Sequence, residues 1–342
     1  MTYQSRCFFI YFCPKSSALK FPVFDISSDR EFEKLALDIY EYQRRHNLVY
    51  DKYCSYLKIV KVNAMEQIPF MPISFFKNFK ITTEASKIEK EFTSSGTTGI
   101  NTSTHYLTDL SIYDQSLDMS FQSFYGSHED YVVLALLPHY LERTGSSLVY
   151  MAQRWIDKSK NEHSGFYLDE LSTLSRKLTL LKSSSKKIIL IGVTFALLEL
   201  AEKFTSDASN LTIIETGGMK GLRKEIVKQE LHGILKKSFP NAQIQSEYGM
   251  TELLSQAYAF GGIHFNTPPW MKVIARDTND PLQTISHGKT GGLNVIDLAN
   301  YNSCPFIATQ DLCKTHDNGT FEVLGRFDQS DVRGCNLMAV PS

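Results

Sequence analysis

Three stretches in the middle of the chain are apolar at nearly every position: 131–137 (YVVLALL), stopped by Pro138; 187–193 (KIILIGV); and 211–215 (LTIIE), closed by Gly217 and Gly218. Such runs suit strands buried on both faces. The segment 242–246 reads as a fourth strand, ending at Glu247, Tyr248 and Gly249. Helical segments are expected over 195–204 and 222–237. Strand and helix alternating through short connections predict a parallel sheet with right-handed crossovers. Ligands of such sheets bind beyond the carboxyl ends of the strands, and Gly217, Gly218 and the segment 248–252 all fall there.

The flanks are patterned differently. Ser28 stands three residues before Glu31, a capping-box spacing, and Phe32, Leu35, Ala36 and Ile39 recur at helical intervals. A helix over 29–45 follows, with a second expected over 50–62 and an irregular, aromatic-rich crossing over 69–79. From about Met271, short candidate strands (272–276, 292–298, 306–311, 320–324) alternate with Gly, Asn and Asp turns, and Asn318-Gly319 is a hairpin signal. The expected fold class is α/β: mostly parallel sheet flanked by helices, with a small antiparallel β subdomain packed on it. The expected organisation is a single domain over 1–342, divided into an N-terminal helical segment (1–90), an α/β nucleotide-binding core (91–270) and a small β subdomain with tail (271–342).

Composition narrows the partners. A formal net charge of -1, without a dense Lys/Arg block, gives no electrostatic reason to expect nucleic acid or an anionic membrane. The early apolar run CFFIYFC is far too short to span a bilayer, and no small-residue cleavage site follows it closely. The six cysteines (Cys7, Cys13, Cys54, Cys304, Cys313, Cys335) lack metal-type pairing, so reduced thiols in the cytoplasm are expected.

The candidate chemistry begins at TSSGTTG: Thr93, Ser94, Ser95, Gly96, Thr97, Thr98 and Gly99. Glycines free backbone amides to turn toward an anion, and hydroxyls add donors. The segment lacks the spacing of a Walker loop, and taken alone such a cluster is more often a solvated turn. It is followed, in order, by ETGGMKG (215–221), EYGMTE (247–252), ATQD (308–311) and GRFD (325–328). Together these resemble the adenylate-forming superfamily of acyl-CoA synthetases, luciferase and peptide-synthetase adenylation domains. The N-terminal helical segment, HFNTPPWM (264–271) and RGCNLM (333–338) look like the acyl-protein synthetase family of bacterial bioluminescence.

The resemblance implies an enzyme that activates a carboxylic acid, a fatty acid foremost, with ATP and Mg²⁺, forms acyl-AMP and transfers the acyl group to a thiol. The loop of Thr93 to Gly99 would hold the β- and γ-phosphates. Gly217, Gly218 and Met219 would line the adenine, Tyr248 would lie against its face, and Gly249 joins the same nucleotide-binding set. Thr251 would contact the α-phosphate and Glu252 would bind Mg²⁺. Asp311 would receive the ribose hydroxyls with Arg326 nearby, Asp328 would mark the hinge, and His139 matches a position beside the substrate carboxylate. Two-domain relatives continue past that hinge into a mobile lid with a catalytic lysine. That C-terminal lid is expected to be absent here, its lysine dispensed with or its role taken by a partner protein, with Lys314 the nearest candidate by sequence. Cys335 matches the family's acylated cysteine, and the neighbouring Arg333 favours its thiolate; the alternatives are an acyl- or aryl-CoA ligase, with coenzyme A as acceptor, and a nucleotide-binding protein without turnover.

Plain readings stand beside these. Glu252 also suits a helix N-terminus, Tyr248 a core, His139 a structural histidine, and Arg326 a surface ion pair. A cysteine by residue type alone is a small buried hydrophobe. Gly261, Gly262, Phe260, Phe265 and Trp270 suit either an acyl-chain pocket or ordinary core.

Overall fold

The computed structural model describes residues 20–83, 87–94, 102–138, 145–168, 170–217 and 226–326. Helix α1 (Asp29–His46) begins where the sequence places it, with the Ser28 hydroxyl accepting from Glu31 N. Glu31 reaches back to the Ser27 amide and hydroxyl, one residue beyond the Ser28 amide that the reciprocal bond of a standard capping box uses. Asn47 then caps α2 (Leu48–Tyr56), which ends well before residue 62 because the chain turns through a left-handed Lys58 (φ 57°). Both helices are tied to the far end of the sequence. Gln43 donates to the Tyr301 carbonyl at 2.7 Å and Asn47 to that of Ser303 at 2.9 Å. The aromatic-rich crossing contains a short strand, β1 (Met71–Pro72), and one helical turn, α3 (Phe75–Asn78); β1 pairs in parallel with residues 307–308.

Strands β2 (Lys90–Thr93) and β3 (Thr104–Leu107) form a separate antiparallel pair, and α4 (Leu110–Tyr125) follows. The parallel part comes next: β4 (Tyr131–Leu136), α5 (Ser147–Ser159), β5 (Gly165–Tyr167), α6 (Leu171–Leu181), β6 (Lys187–Gly192), α7 (Thr194–Lys203), β7 (Leu211–Glu215), α8 (Lys228–Ser238) and β8 (Gln243–Tyr248). The spatial order β5-β4-β6-β7-β8 is parallel throughout. Every residue of β4 is buried, as are the side chains of Ile188 to Ile191, so the apolar runs are strands covered on both faces. Full burial of each such aliphatic side chain stabilises by roughly 1.5–3 kcal/mol, which explains why alternation is missing from these strands.

The antiparallel part does not form a separate layer. Strands β9 (Ala257–Phe260), β10 (Phe265–Asn266), β11 (Met271–Arg276), β12 (Thr290–Asp297), β13 (Phe306–Thr315) and β14 (Phe321–Arg326) continue the same sheet in the order β8-β9-β10-β14-β13-β12-β11. Among the described residues it has twelve strands, with β1 on β13. The expected packed-on subdomain is thus corrected to an edge-to-edge extension, because β9 folds back on β8 and hydrogen-bonds with it. β13 also runs past Asp311 to Thr315, since both arms of the Asn318-Gly319 hairpin must be long enough to pair; Gly319 supplies the left-handed turn residue (φ +80°). Within this antiparallel part, β10 and β14 are joined by one register pair, Phe265 opposite Phe321. Among the described residues no helix is long and apolar enough to cross a membrane.

Candidate active site

The sheet pairing brings the first and third motifs together. Thr93 on β2 lies opposite Thr104 on β3, so the Ser/Thr/Gly loop springs from the end of a two-stranded stem. The stem is closed by Ser94 and Ser103: Ser94 N donates to the Ser103 carbonyl and Ser103 N to Ser94 Oγ, both at 3.0 Å, with the two hydroxyls 2.9 Å apart. The Ser103 hydroxyl in turn donates to the carboxyl of Glu252. Glu252 is buried, and burial raises its carboxyl above the ordinary range although Ser103, Lys77 and Arg326 all favour ionisation. Its neighbour Thr251 is half-buried.

Beneath Thr251 and Glu252 lies a polar cradle that sequence reasoning missed. His105 on β3 meets the Thr251 carbonyl at 2.9 Å through Nδ1 and Asn300 Oδ1 at 3.0 Å through Nε2. Asn300 Nδ2 donates to the carbonyls of Glu252 at 2.8 Å and Cys304 at 3.0 Å. Asp297, at the end of β12, accepts from Leu254 N, Ser255 N and Ser255 Oγ at 2.7, 2.9 and 2.6 Å. All three side chains are fully enclosed. Complete burial outweighs the two acceptors around His105 and pushes its imidazole down to about 4, so at neutral pH the ring has one proton for two acceptors. Burial likewise outweighs the donors around Asp297 and pushes its carboxyl up to about 6. The available signal was polar residues inside an apolar run: Asn294, Asp297 and Asn300 in GGLNVIDLANY.

The fourth and fifth motifs close the other side. Tyr248, at the end of β8, donates to Asp311 Oδ2 at 2.7 Å, and Asp311 on β13 faces Arg326 on β14 in register. Burial raises the Asp311 carboxyl, while Tyr248, Arg326 and Arg276 oppose the rise. The Arg326 guanidinium therefore acts on both Glu252 and Asp311. Gly249 is required by space: a Cβ there would collide with Glu247 Oε1 and sit 3.2 Å from Gln256 Cγ. Glu247 is buried, bonded by the Thr216 hydroxyl and pushed up to about 7, mainly by burial. Gly217 (φ +33°) follows Thr216 beyond β7. The structure thus gathers Thr93, Ser94, Gly217, Tyr248, Gly249, Thr251, Glu252, Asp311 and Arg326 at one edge of the sheet.

Ser95, Gly96, Thr97, Thr98, Gly99, His139, Gly218, Met219, Asp328 and Cys335 lie outside the described residues. Cys54, Cys304 and Cys313 are buried thiols, with Cys54 pushed up to about 11 and Cys313 to about 12 chiefly by burial. Lys314 lies on β13 opposite Glu322. Of the aromatic residues considered for an acyl pocket, Phe265 and Trp270 are core: Phe265 stacks on Phe321, and the Trp270 indole donates to Ser255 Oγ at 2.9 Å. A groove of about 480 Å³ along α1, lined by Phe21, Ile26, Leu35 and Tyr42 among others, shares no residue with the motif cluster.

This architecture is the fold of adenylate-forming enzymes. The chain is similar to 2-hydroxyisobutyryl-CoA ligase solved with 2-HIB-AMP and CoA in the thioesterification state (TM-score 0.68, 13% identity, 93% of this chain and 73% of that one). It is also similar to ATP-bound MatB from Rhodopseudomonas palustris (TM-score 0.53, 17% identity, 71% of this chain), of which it spans about half, 49%. A model of the family "Acyl-protein synthetase, LuxE" matches residues 21–340, and the chain belongs to that family of acyl-activating ligases. Relatives include the long-chain-fatty-acid–luciferin-component ligases of Aliivibrio fischeri (23% identical over 338 residues) and Vibrio harveyi (23% over 328 residues), each alignment covering 89% of this chain and 86% of the relative.

Proposed function

We propose that this ligase joins a long-chain fatty acid to ATP, releasing pyrophosphate and forming acyl-AMP, and then passes the acyl group to the thiol of Cys335, releasing AMP. The observation that carries the reading is the Ser94–Ser103–Glu252 chain, which ties the root of the TSSGTTG loop to the EYGMTE glutamate. A carboxylate attacking the α-phosphate brings negative charges together, so neutralisation dominates the barrier. The loop hydroxyls and amides receive the β- and γ-phosphates, Thr251 the α-phosphate, and Asp311 the ribose diol, for which an ionised carboxylate offers two acceptors. Arg326, acting on both carboxyls, sets the charge balance between ribose and metal ends. Glu252 with the hydroxyls of Ser94 and Ser103 is a set of hard oxygen donors that fits Mg²⁺, and burial makes a bare carboxylate there unfavourable. When bound, Mg²⁺ supplies charge neutralisation.

In the second step the Cys335 thiolate attacks the acyl carbonyl, the bond to the phosphate oxygen breaks, and a thioester and AMP result. The structural likeness to CoA ligases favours one rival, in which coenzyme A takes the acyl group. The test supplies radiolabelled fatty acid and ATP. Label fixed to the protein, released by hydroxylamine and lost in Cys335→Ser, is the expected result. Label found solely in a small soluble thioester assigns the transfer to coenzyme A, and absence of acid-dependent pyrophosphate exchange across a panel of acids rejects adenylation itself.

A further inference from the structure

Two imidazoles and a carboxylate converge where β10 meets β14. His264 precedes β10, His316 begins the turn between β13 and β14, and Glu322 lies on β14. His316 Nε2 is 2.9 Å and His264 Nε2 3.5 Å from the same carboxylate oxygen, Glu322 Oε1, and the two rings stand 4.8 Å apart at 81°. One ligand atom from each residue can be chosen so that all three lie within 4.8 Å of one another. Glu322 pairs with these imidazoles rather than with Lys314, its cross-strand neighbour.

We propose that His264, His316 and Glu322 form a binding site for a divalent transition cation, Zn²⁺ being the best match. Zinc holds nitrogen and oxygen ligands at about 2.0–2.2 Å in a tetrahedron, which places neighbouring donor atoms about 3.3 Å apart. The two distances to Glu322 Oε1 bracket that separation. Two histidines and one carboxylate are also a ligand set zinc accepts with a fourth position left to water, and the His264 side chain, 54% exposed, leaves that position open. Borderline imidazole donors select zinc-class ions over Mg²⁺ or Ca²⁺, which prefer all-oxygen shells.

The placement gives the cation a task. β10 and β14 are joined by a single register pair, Phe265 with Phe321, whose rings stack at 5.4 Å. His264 adjoins the first of these residues and Glu322 the second, so a bound cation cross-links β10, which continues from β8 and β9, to β14 and the strands beyond it, beside their narrowest connection. It also fixes β14, the strand that presents Arg326 to Asp311.

The full-length chain, stripped with a chelator and dialysed, is titrated with Zn²⁺ and with Co²⁺ as a spectroscopic stand-in, while the unfolding midpoint is followed. One equivalent bound per chain, a tetrahedral Co²⁺ spectrum and a raised midpoint are expected. His264→Gln, His316→Ala and Glu322→Gln should each weaken binding at least tenfold, since even the loss of an outer-shell partner costs 10–100-fold. His264→Gln alters an exposed side chain and decides the matter if another variant fails to fold. Absence of saturable binding, or stoichiometric binding unchanged in His264→Gln, overturns the proposal; the second result would move the cation to thiols elsewhere.

Discussion

Asn300→Ala tests whether the cradle under Glu252 is what aims the catalytic segment. The substitution removes two donated bonds, to Glu252 O at 2.8 Å and Cys304 O at 3.0 Å, and the acceptor facing His105 Nε2 at 3.0 Å. Each buried polar group left without a partner costs about 1–3 kcal/mol, and water entering the vacated space recovers part of it, so a loss of about 3 kcal/mol is expected. For a chain of 342 residues, an unfolding entropy of about 2.1 cal/mol/K per residue gives about 0.7 kcal/mol/K in all, so the midpoint should fall by about 4 °C. Glu252 loses the support of its carbonyl, and His105, which holds the Thr251 carbonyl, loses its second partner; misplacing the segment by a fraction of an ångström should slow acid-dependent pyrophosphate exchange at least tenfold, a barrier increase of about 1.4 kcal/mol. The two readouts are calorimetry and exchange at saturating ATP on the same preparation. A midpoint within 1 °C of the parent together with exchange within about twofold would refute the reasoning.

Gly249→Ala places a methyl group against Glu247 Oε1, which cannot swing away because Thr216 holds the carboxyl in a buried setting; nucleotide affinity measured by calorimetry should fall at least tenfold, and unchanged binding would show that β8 has slack there. Tyr248→Phe removes the 2.7 Å bond to Asp311, costing about 1.5–3 kcal/mol of stability in urea titration. Because that bond holds the Asp311 carboxyl down, ATP binding by the variant should weaken further as the pH is lowered toward 5. Glu247 carries a carboxyl raised to about 7, so its protonated form is favoured in the folded state; the contribution is full below about 4.5 and is lost as pH rises through 7, about 3 kcal/mol in all. Glu247→Gln should flatten this part of the stability-against-pH curve, and a slope unchanged between pH 4.5 and 7 would assign it to other groups.

The parallel half was legible because β4, β6 and β7 each carry a run of buried apolar residues covering both faces, which no exposed element tolerates. The continuity of the sheet was not. β10 is two residues long, followed by Thr267, Pro268 and Pro269, and carries no alternation from which its pairing with both β9 and β14 is visible. Motif order exposed Glu252, Tyr248 and Asp311, because each carries a side chain that the proposed adenylation would use. His105, Asp297 and Asn300 escaped notice for the opposite reason: His105 and Asn300 bond to the carbonyls of Thr251 and Glu252, Asp297 bonds to Leu254 and Ser255 just beyond, and tertiary contacts across 146, 48 and 43 residues leave no local signature. Phe265 and Trp270 were ambiguous by type, and burial made them core.

The bonds from Gln43 to Tyr301 and from Asn47 to Ser303 span more than 250 positions, and β1 waits for β13 in the same way. On the ribosome, α1 and α2 emerge more than 250 residues before these partners do. Until then two amide side chains and one strand edge stay solvated, and the early helices fall short of their final stability. The apolar stripe of α1, with Phe32, Ala36 and Ile39, is uncovered over the same interval, which makes it a surface for mispairing during synthesis.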